Sequence, residues 1–211
     1  MEEKYVITIG RQFGSGGKEI GFELAKRLNI RCYDKELLEV AAKNSGLCED
    51  IFATHDEKPT NSFLYSLVMD TYSAGYATPG FVDVPISQKV FLAQFDAIKA
   101  LAQKENCVIV GRCADYALEE MPNLIRVFIS ADLPNRISRI QERFQLTEHK
   151  AKDLIQKTDK KRASYYNYYT NKRWGDCASY DLSINSAKLG IQGSVDLICE
   201  HLNLYKQTKK D

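Results

Sequence analysis

The chain has 211 residues, 44% of them apolar and 27% charged, a balance ordinary for a globular protein. That length suits one α/β domain with a small inserted lobe, and folding should bury roughly 70% of the surface of the unfolded chain. Lys and Arg number 29 against 28 Asp and Glu, a net charge of +1, which argues against a protein that coats duplex nucleic acid while leaving room for a locally basic site.

In chain order, Tyr5-Val-Ile-Thr-Ile9 is a short β-branched run that reads as a buried parallel strand ending at Gly10. A glycine-rich turn follows, and then Ile20, Leu24 and Leu28 recur at helical spacing with Lys26 and Arg27 off that face. Arg31-Cys-Tyr33 is a second strand, and Asp34 can cap a helix carrying Leu37, Leu38, Ala41 and Ala42. Residues 46 to 85 have no strong period. They hold an apolar helical patch at Phe63, Leu64, Leu67 and Val68, and then a loop by composition from Ser73 to Gly80.

A long helix starts near Ser87 and runs through Val90, Phe91, Phe95, Ile98 and Leu101. Cys107-Val-Ile-Val110 is a buried strand closed by Gly111-Arg112, and Leu124 to Ile129 is another, with Asp132-Leu-Pro opening the helix after it. That helix carries Ile137, Ile140 and Phe144 on one face and Arg136, Arg139 and Arg143 on the adjacent one. A further helix from about Glu148 reaches the Tyr165-Tyr-Asn-Tyr-Tyr169 cluster. Tyr180 to Ile184 is the last strand, Val195, Ile198, Cys199 and Leu202 mark a closing helix, and Lys206 to Asp211 reads as a solvated tail. Strands alternating with helices imply a mostly parallel sheet covered on both faces.

No run reaches the roughly 18 apolar residues of a membrane span, and the N-terminus enters a strand pattern at once, so neither secretion nor membrane insertion is expected. Six cysteines (Cys32, Cys48, Cys107, Cys113, Cys177 and Cys199) are scattered without a C-x-x-C pair. They read as reduced thiols of a cytoplasmic protein, and no metal site is expected of them.

The segment richest in chemistry is Ile9-Gly-Arg-Gln-Phe-Gly-Ser-Gly-Gly-Lys-Glu-Ile20, between the first strand and the first helix. A helix N-terminus offers unpaired N–H groups and a partial positive charge, and glycines let the backbone wrap an anion. Gly14, Gly16 and Gly17 followed by Lys18 suit phosphate; a ligand-free glycine turn is the blander alternative. The match to the Walker pattern G-x-x-x-x-G-K-[ST] is shifted. With Gly16 as its second glycine, Gly17 replaces the lysine, Lys18 the Ser/Thr and Arg11 the first glycine. With Lys18 as its lysine, the loop is one residue longer and Glu19 replaces the hydroxyl that binds magnesium.

Arg112 follows a buried strand, and in open α/β sheets ligands sit beyond the carboxyl ends of the strands, so it should project toward the rim of the glycine loop. Its donors suit a phosphate or a base edge, or a plain salt bridge at a strand end. In Asp159-Lys-Lys-Arg-Ala-Ser-Tyr-Tyr166, Asp159 and Arg162 lie one helical turn apart and can pair, fixing the guanidinium for a transferring phosphoryl group. A solvated charged face is the other reading of that run.

These segments, together with Tyr33-Asp-Lys-Glu-Leu37, Ile109-Val-Gly-Arg112 and Tyr180-Asp-Leu-Ser-Ile-Asn185, resemble the cytidylate kinase-like family, relatives of the nucleoside monophosphate kinases, over essentially the whole chain. The resemblance implies a P-loop NTPase-like three-layer sandwich with a five-stranded parallel sheet. Residues 1–211 would form one such domain, with a helical nucleotide-monophosphate lobe inserted at about 46–85 and a lid at about 145–178. It implies ATP and Mg2+ as phosphate donor and a pyrimidine monophosphate, CMP or dCMP first, as acceptor. Phe13, Gly14, Ser15, Gly16, Gly17, Lys18 and Glu19 would hold the donor phosphates. Asp34, Arg112, Asp159 and Arg162 would meet the acceptor, and Lys18, Arg112 and Arg162 would be catalytic. Two rivals stand beside it: a nucleotide-binding regulatory protein without turnover, and a kinase for a non-nucleotide small molecule. Nucleic acid and membrane are not expected as partners, and a homo-oligomer stays open.

Overall fold

The computed structural model describes residues 4–45, residues 50, 51, 54, 56 and 57, and residues 85–208. The inserted lobe expected at about 46–85, with its Phe63–Val68 patch and Ser73–Gly80 loop, lies outside the described residues apart from those few positions.

Five strands, β1 (Val6–Arg11), β2 (Arg31–Tyr33), β3 (Cys107–Val110), β4 (Leu124–Ser130) and β5 (Leu182–Asn185), form one sheet in the order β2-β3-β1-β4-β5. All four pairings are parallel. Parallel neighbours need crossovers, and helices supply them: α1 (Gly17–Leu28), α2 (Glu36–Ser45), α3 (Ile86–Lys104), the short α4 (Ala114–Ala117), α5 (Leu133–Phe144), α6 (Glu148–Thr170) and α7 (Ser186–Thr208).

Both sheet faces are covered, which is why the strands are apolar at successive positions instead of alternating. Ile7 and Ile9 of β1, with Val108 and Val110 of β3, pack against Ile20 and Leu24 of α1 and Val195, Ile198 and Leu202 of α7. Val6, Cys107 and Ile109 point the other way, onto Leu37 and Ala41 of α2 and Ile98 and Leu101 of α3. The result is a three-layer α/β sandwich, as expected from the sequence.

Four local expectations change. β5 begins at Leu182, because Tyr180 turns its ring onto Phe128 (centroids 5.0 Å apart) instead of entering the ladder. The last helix runs on to Thr208, so the tail expected from Lys206 starts as helix, with residues 206–208 exposed as expected and Tyr205 just before them donating to the Pro122 carbonyl at 2.7 Å. On α5, Phe144 is exposed and Arg136 is buried, since Arg136 is drawn inward by Asp159. And α2 starts at Glu36 instead of being capped by the Asp34 side chain, whose carboxylate is taken by cations of the cleft.

The tyrosine cluster on α6 serves chiefly to pack the helix down, and of its rings Tyr168 is exposed. Tyr165 and Tyr166 are buried, and the Tyr169 ring stacks on Phe91 at 3.8 Å. The five described cysteines carry free thiols, and burial pushes those of Cys32 and Cys107 up to about 12, which leaves both inert as nucleophiles at neutral pH.

Candidate functional site

β1 and β3 are neighbours, so Arg11 at the end of one and Gly111-Arg112 just past the other emerge side by side on the carboxyl rim. The glycine loop leaves from the same point. Gly16 is the N-cap of α1 with φ +77, and no side chain caps the helix. The first N–H groups of α1 therefore have no intrahelical acceptor, and the positive end of the helix dipole faces the cleft. A Cβ on Gly16 would stand 2.3 Å from Arg139 Nη1 and 2.6 Å from Ile191 Cδ1, so a glycine is required for space as well as for φ. The loop is held from below and from the side. The Ser186 hydroxyl donates to the Ser15 carbonyl at 2.6 Å, and the Phe13 N–H donates to Asp159 Oδ1 at 2.7 Å.

Lys18, the second residue of α1, reaches across to Asp34 at 2.7 Å (Oδ2), and its ammonium lies 5.4 Å from the Phe22 ring centre. Glu19 faces outward and pairs with Arg139 at 2.9 Å. Arg112 is buried and fully engaged: its Nε and Nη2 donate to the two oxygens of Asp56 at 2.9 and 3.0 Å, and its Nη1 approaches Asp34 Oδ1 at 3.5 Å. The backbone there is left-handed over three successive residues, Gly111 (φ +78), Arg112 (φ +54) and Cys113 (φ +54). Strain of that kind persists only where the surroundings enforce it, and here it folds the guanidinium back over the rim.

At the floor lies Glu57. Its Oε1 accepts from Arg11 Nη1 at 2.7 Å and from the Arg112 N–H at 3.4 Å, and its Oε2 faces Arg162 Nε at 3.3 Å. A Cβ on Gly111 would fall 2.0 Å from Arg11 Nη1 and 2.6 Å from Glu57 Oε1, so only glycine lets these groups meet. Burial would raise the Glu57 carboxyl, but Arg11, Arg162 and Arg112 outweigh it and hold it far below the usual carboxylate range. Asp34 follows the same balance, with burial opposed by Lys18 and Arg112 and the carboxyl ending lowered. Arg112 is raised, because Asp56, Glu57 and Asp34 overcome its burial. Arg162 goes the other way: burial and the like charge of Arg11 bring it down to about 10 despite Glu57 beside it.

These groups line one cavity of about 340 Å³. Lys18, Arg112 and Arg162, far apart in sequence, all border it, together with Asp34, Phe13, Gly14, Gly16, Gly17 and Glu19. Ser15 is fully buried beneath the loop, its hydroxyl donating to the Gln12 carbonyl at 2.8 Å. Asp159 does not border the cavity, and its pairing with Arg162 expected from helical spacing is replaced. One oxygen of Asp159 takes the Phe13 N–H and the other takes Arg136 Nη1, so it braces the glycine loop against α5 while Arg162 turns to Glu57. A second, wider cavity of about 680 Å³ opens on the other side of the loop, between Gly14, Arg139 and the start of α7, which kinks at Gly190 (φ +67).

Sequence reasoning passed over Arg11, Asp56 and Glu57. Arg11 was visible as the residue standing where the Walker pattern has its first glycine. Asp56 and Glu57 sit in a stretch without periodicity, and nothing local marks an acidic pair that folds beneath a distant loop.

The family model described as Cytidylate kinase-like family matches residues 6–188. A curated cytidylate kinase from Methanosarcina barkeri (strain Fusaro / DSM 804) is 27% identical over 96 residues, which is 44% of this chain and 53% of that protein, so the match spans about half the length of the curated relative. Among solved structures, an uncharacterized protein from Eubacterium ventriosum ATCC 27560 superposes with a TM-score of 0.71 at 31% identity, covering 95% of this chain and 99% of that one. A shikimate kinase from Bacteroides thetaiotaomicron shares the fold at a TM-score of 0.51 and 17% identity, over 94% and 98% of the two chains.

Proposed function

The chain belongs to the cytidylate kinase-like family, and from that premise we propose that it transfers the γ-phosphate of ATP to a pyrimidine nucleoside monophosphate, CMP or dCMP. The observation that carries this reading is the single cavity of about 340 Å³ bordered both by the glycine loop and by Lys18, Arg112 and Arg162. A donor held on one wall and an acceptor on the other would stand in line over a floor of guanidinium groups.

The loop fits phosphate: the start of α1 has no side-chain cap on its N–H donors, and Gly14, Gly16 and Gly17 keep the backbone before it bare of side chains. In this reading the N–H groups from Gly14 to Glu19, with Lys18, hold the donor phosphates. Arg112 contacts the acceptor, with Asp34 fixing both cations from between them. Arg162 stabilises the charge on the phosphoryl group in flight, which needs positioning and electrostatics more than covalent chemistry. Mg2+ would come with the donor and neutralise its phosphate oxygens. Among the described residues no group of acidic, His or Cys side chains forms a metal site of its own, and no role here depends on one.

We place the inserted segment at about 46–85 over the acceptor and assign residues of about 145–178 to the lid, whose closure would keep water from the donor. A cytoplasmic location suits the nucleotides, and among the described residues no helix is long and apolar enough to cross a membrane. One observation favours a second reading, a nucleotide-binding protein without turnover: Glu19 occupies the place of the magnesium-binding hydroxyl and is committed to Arg139. An assay of ADP formation with a panel of nucleoside monophosphates separates the two. Turnover confined to CMP and dCMP supports the kinase; ATP binding with no turnover on any monophosphate overturns it.

A further inference from the structure

Arg11 is foreign to the Walker pattern, and it brings to the loop a guanidinium that the pattern lacks. Its partner is neither solvent nor a surface acid but Glu57, which reaches it from a point 46 residues along the chain and is shared with Arg162. All three side chains are withdrawn from water, at 11%, 12% and 15% exposure for Arg11, Glu57 and Arg162. The backbone N–H of Arg112 completes the arrangement. Two guanidinium groups and a backbone N–H converging on one pair of oxygens is the geometry by which proteins hold a phosphate or carboxylate ligand. Here the anion belongs to the chain.

We infer that Arg11, Arg162 and the Arg112 N–H form a binding site for a phosphate monoester dianion, that Glu57 is its internal occupant, and that the ligand binds by replacing the Glu57 carboxylate. The charge balance selects a dianion. The paired groups on the floor are four cations (Arg11, Lys18, Arg112 and Arg162) against three carboxylates (Asp34, Asp56 and Glu57). Withdrawing Glu57 leaves the cluster short of two negative charges, which a monoester dianion supplies and a carboxylate does not.

Two further observations agree. Glu57 holds its carboxylate inward from a left-handed backbone (φ +50), a conformation that a non-glycine residue keeps only where its surroundings enforce it. Arg162, moreover, keeps a lowered pKa although Glu57 touches it, because the like charge of Arg11 and burial exceed what one shared carboxylate returns. The pair is under-neutralised with Glu57 in place, while Arg112, facing Asp56 and Asp34, is not. The acceptor reading of the cleft is needed only to name the ligand as the phosphate of a nucleoside monophosphate. The site itself rests on its geometry.

The test measures binding of inorganic phosphate by calorimetry, in a buffer free of other polyvalent anions, to the wild-type chain and to Glu57→Gln. Glu57→Gln keeps the shape and removes the competing charge, so phosphate should bind at least fivefold more tightly, and the gain should vanish in the Glu57→Gln/Arg11→Gln double variant. Unchanged or weaker binding in Glu57→Gln overturns the inference and makes Glu57 a plain structural counter-ion. Glu57→Asp serves if the glutamine variant does not fold: its shorter carboxylate retreats from the arginines, and an affinity no higher than wild type overturns the proposal equally. Tighter phosphate binding with no phosphotransfer on any monophosphate would sustain the site and overturn the kinase reading instead.

Discussion

Arg162 Nη1 donates to the backbone carbonyl of Arg11 at 3.1 Å, so the long helix Glu148–Thr170 is fastened to the end of the central strand through a residue of the cleft itself. Its Nε meanwhile faces Glu57, and its Cζ lies 5.5 Å from the Phe13 ring centre. Such a guanidinium is placed before any substrate arrives, which is the condition for stabilising charge that appears only in a transition state.

Arg162→Ala should therefore lower kcat by about 10²- to 10³-fold while ATP affinity stays within about threefold. The loss of its bond to the Arg11 carbonyl should also lower Tm by a few degrees. Steady-state kinetics beside calorimetry of ATP binding distinguishes these effects. A parallel fall in ATP affinity would reassign Arg162 to the donor side.

The glycine loop gives a second prediction. Gly16→Ala places a methyl 2.6 Å from Ile191 Cδ1 and 2.3 Å from Arg139 Nη1, on a backbone with φ +77. We expect ATP affinity to fall by at least tenfold and the fold to lose on the order of 1 kcal/mol. A bulkier valine would press further on Ile191, which packs against the core under α1, and would confound binding with unfolding. Survival of ATP affinity within about threefold of wild type would end the phosphate-cradle reading.

Acid sensitivity follows from the carboxylates. Glu57 and Asp34 are both held below their ordinary values, 4.5 and 3.8, by the cations that outweigh their burial. A lowered folded value means that their contribution is complete above the unfolded value and is lost as pH falls through the folded one. Stability should hold from neutral pH down to about pH 4.5 and decline steeply below it. The Tm difference between wild type and Glu57→Gln should shrink over that decline, and thermal melts between pH 3 and 7 measure it. A difference that stays constant with pH would mean that Glu57 is not charged in the folded protein.

The sheet was legible because β1, β3 and β4 are largely runs of buried apolar residues, and because Gly111 closes β3 at the rim where β1 gives way to the glycine loop. The convergence of Lys18, Arg112 and Arg162 was legible too, since a strand end, a helix start and a helix on the same edge leave few alternatives. What the sequence hid was pairing. Helical spacing offers Asp159 to Arg162, but spacing cannot show that Arg136 and the Phe13 N–H compete for the same oxygens at shorter range. Nor can it show that Glu57, from an aperiodic stretch, is the carboxylate that Arg162 meets. Ion pairs between distant segments are set by the tertiary fold, and no local period records them.

The division of labour between the arginines is the sharpest remaining test, and Arg112→Lys is the variant that makes it. Arg112 binds both oxygens of Asp56 through its fork and approaches Asp34 with the third nitrogen. Alanine there would leave Asp34 and Asp56 under-compensated in a buried place, at a cost of about 3–5 kcal/mol that endangers the fold. Lysine keeps the charge but offers one ammonium for three contacts, so the loss should be about 1–3 kcal/mol of stability. The planar donor set that holds Asp56 and Asp34 at the edge of the cleft is lost with it. Acceptor KM should rise by tenfold or more while kcat stays within about threefold, the opposite of the pattern expected for Arg162→Ala, because uniform binding of the acceptor is weakened and not the transition state alone. Kinetics at saturating ATP, with the acceptor varied, resolve the two constants. Should Arg112→Lys lower Tm and leave KM untouched, Arg112 would be a brace for Asp34 and Asp56, and acceptor recognition would fall to Arg11 and Arg162.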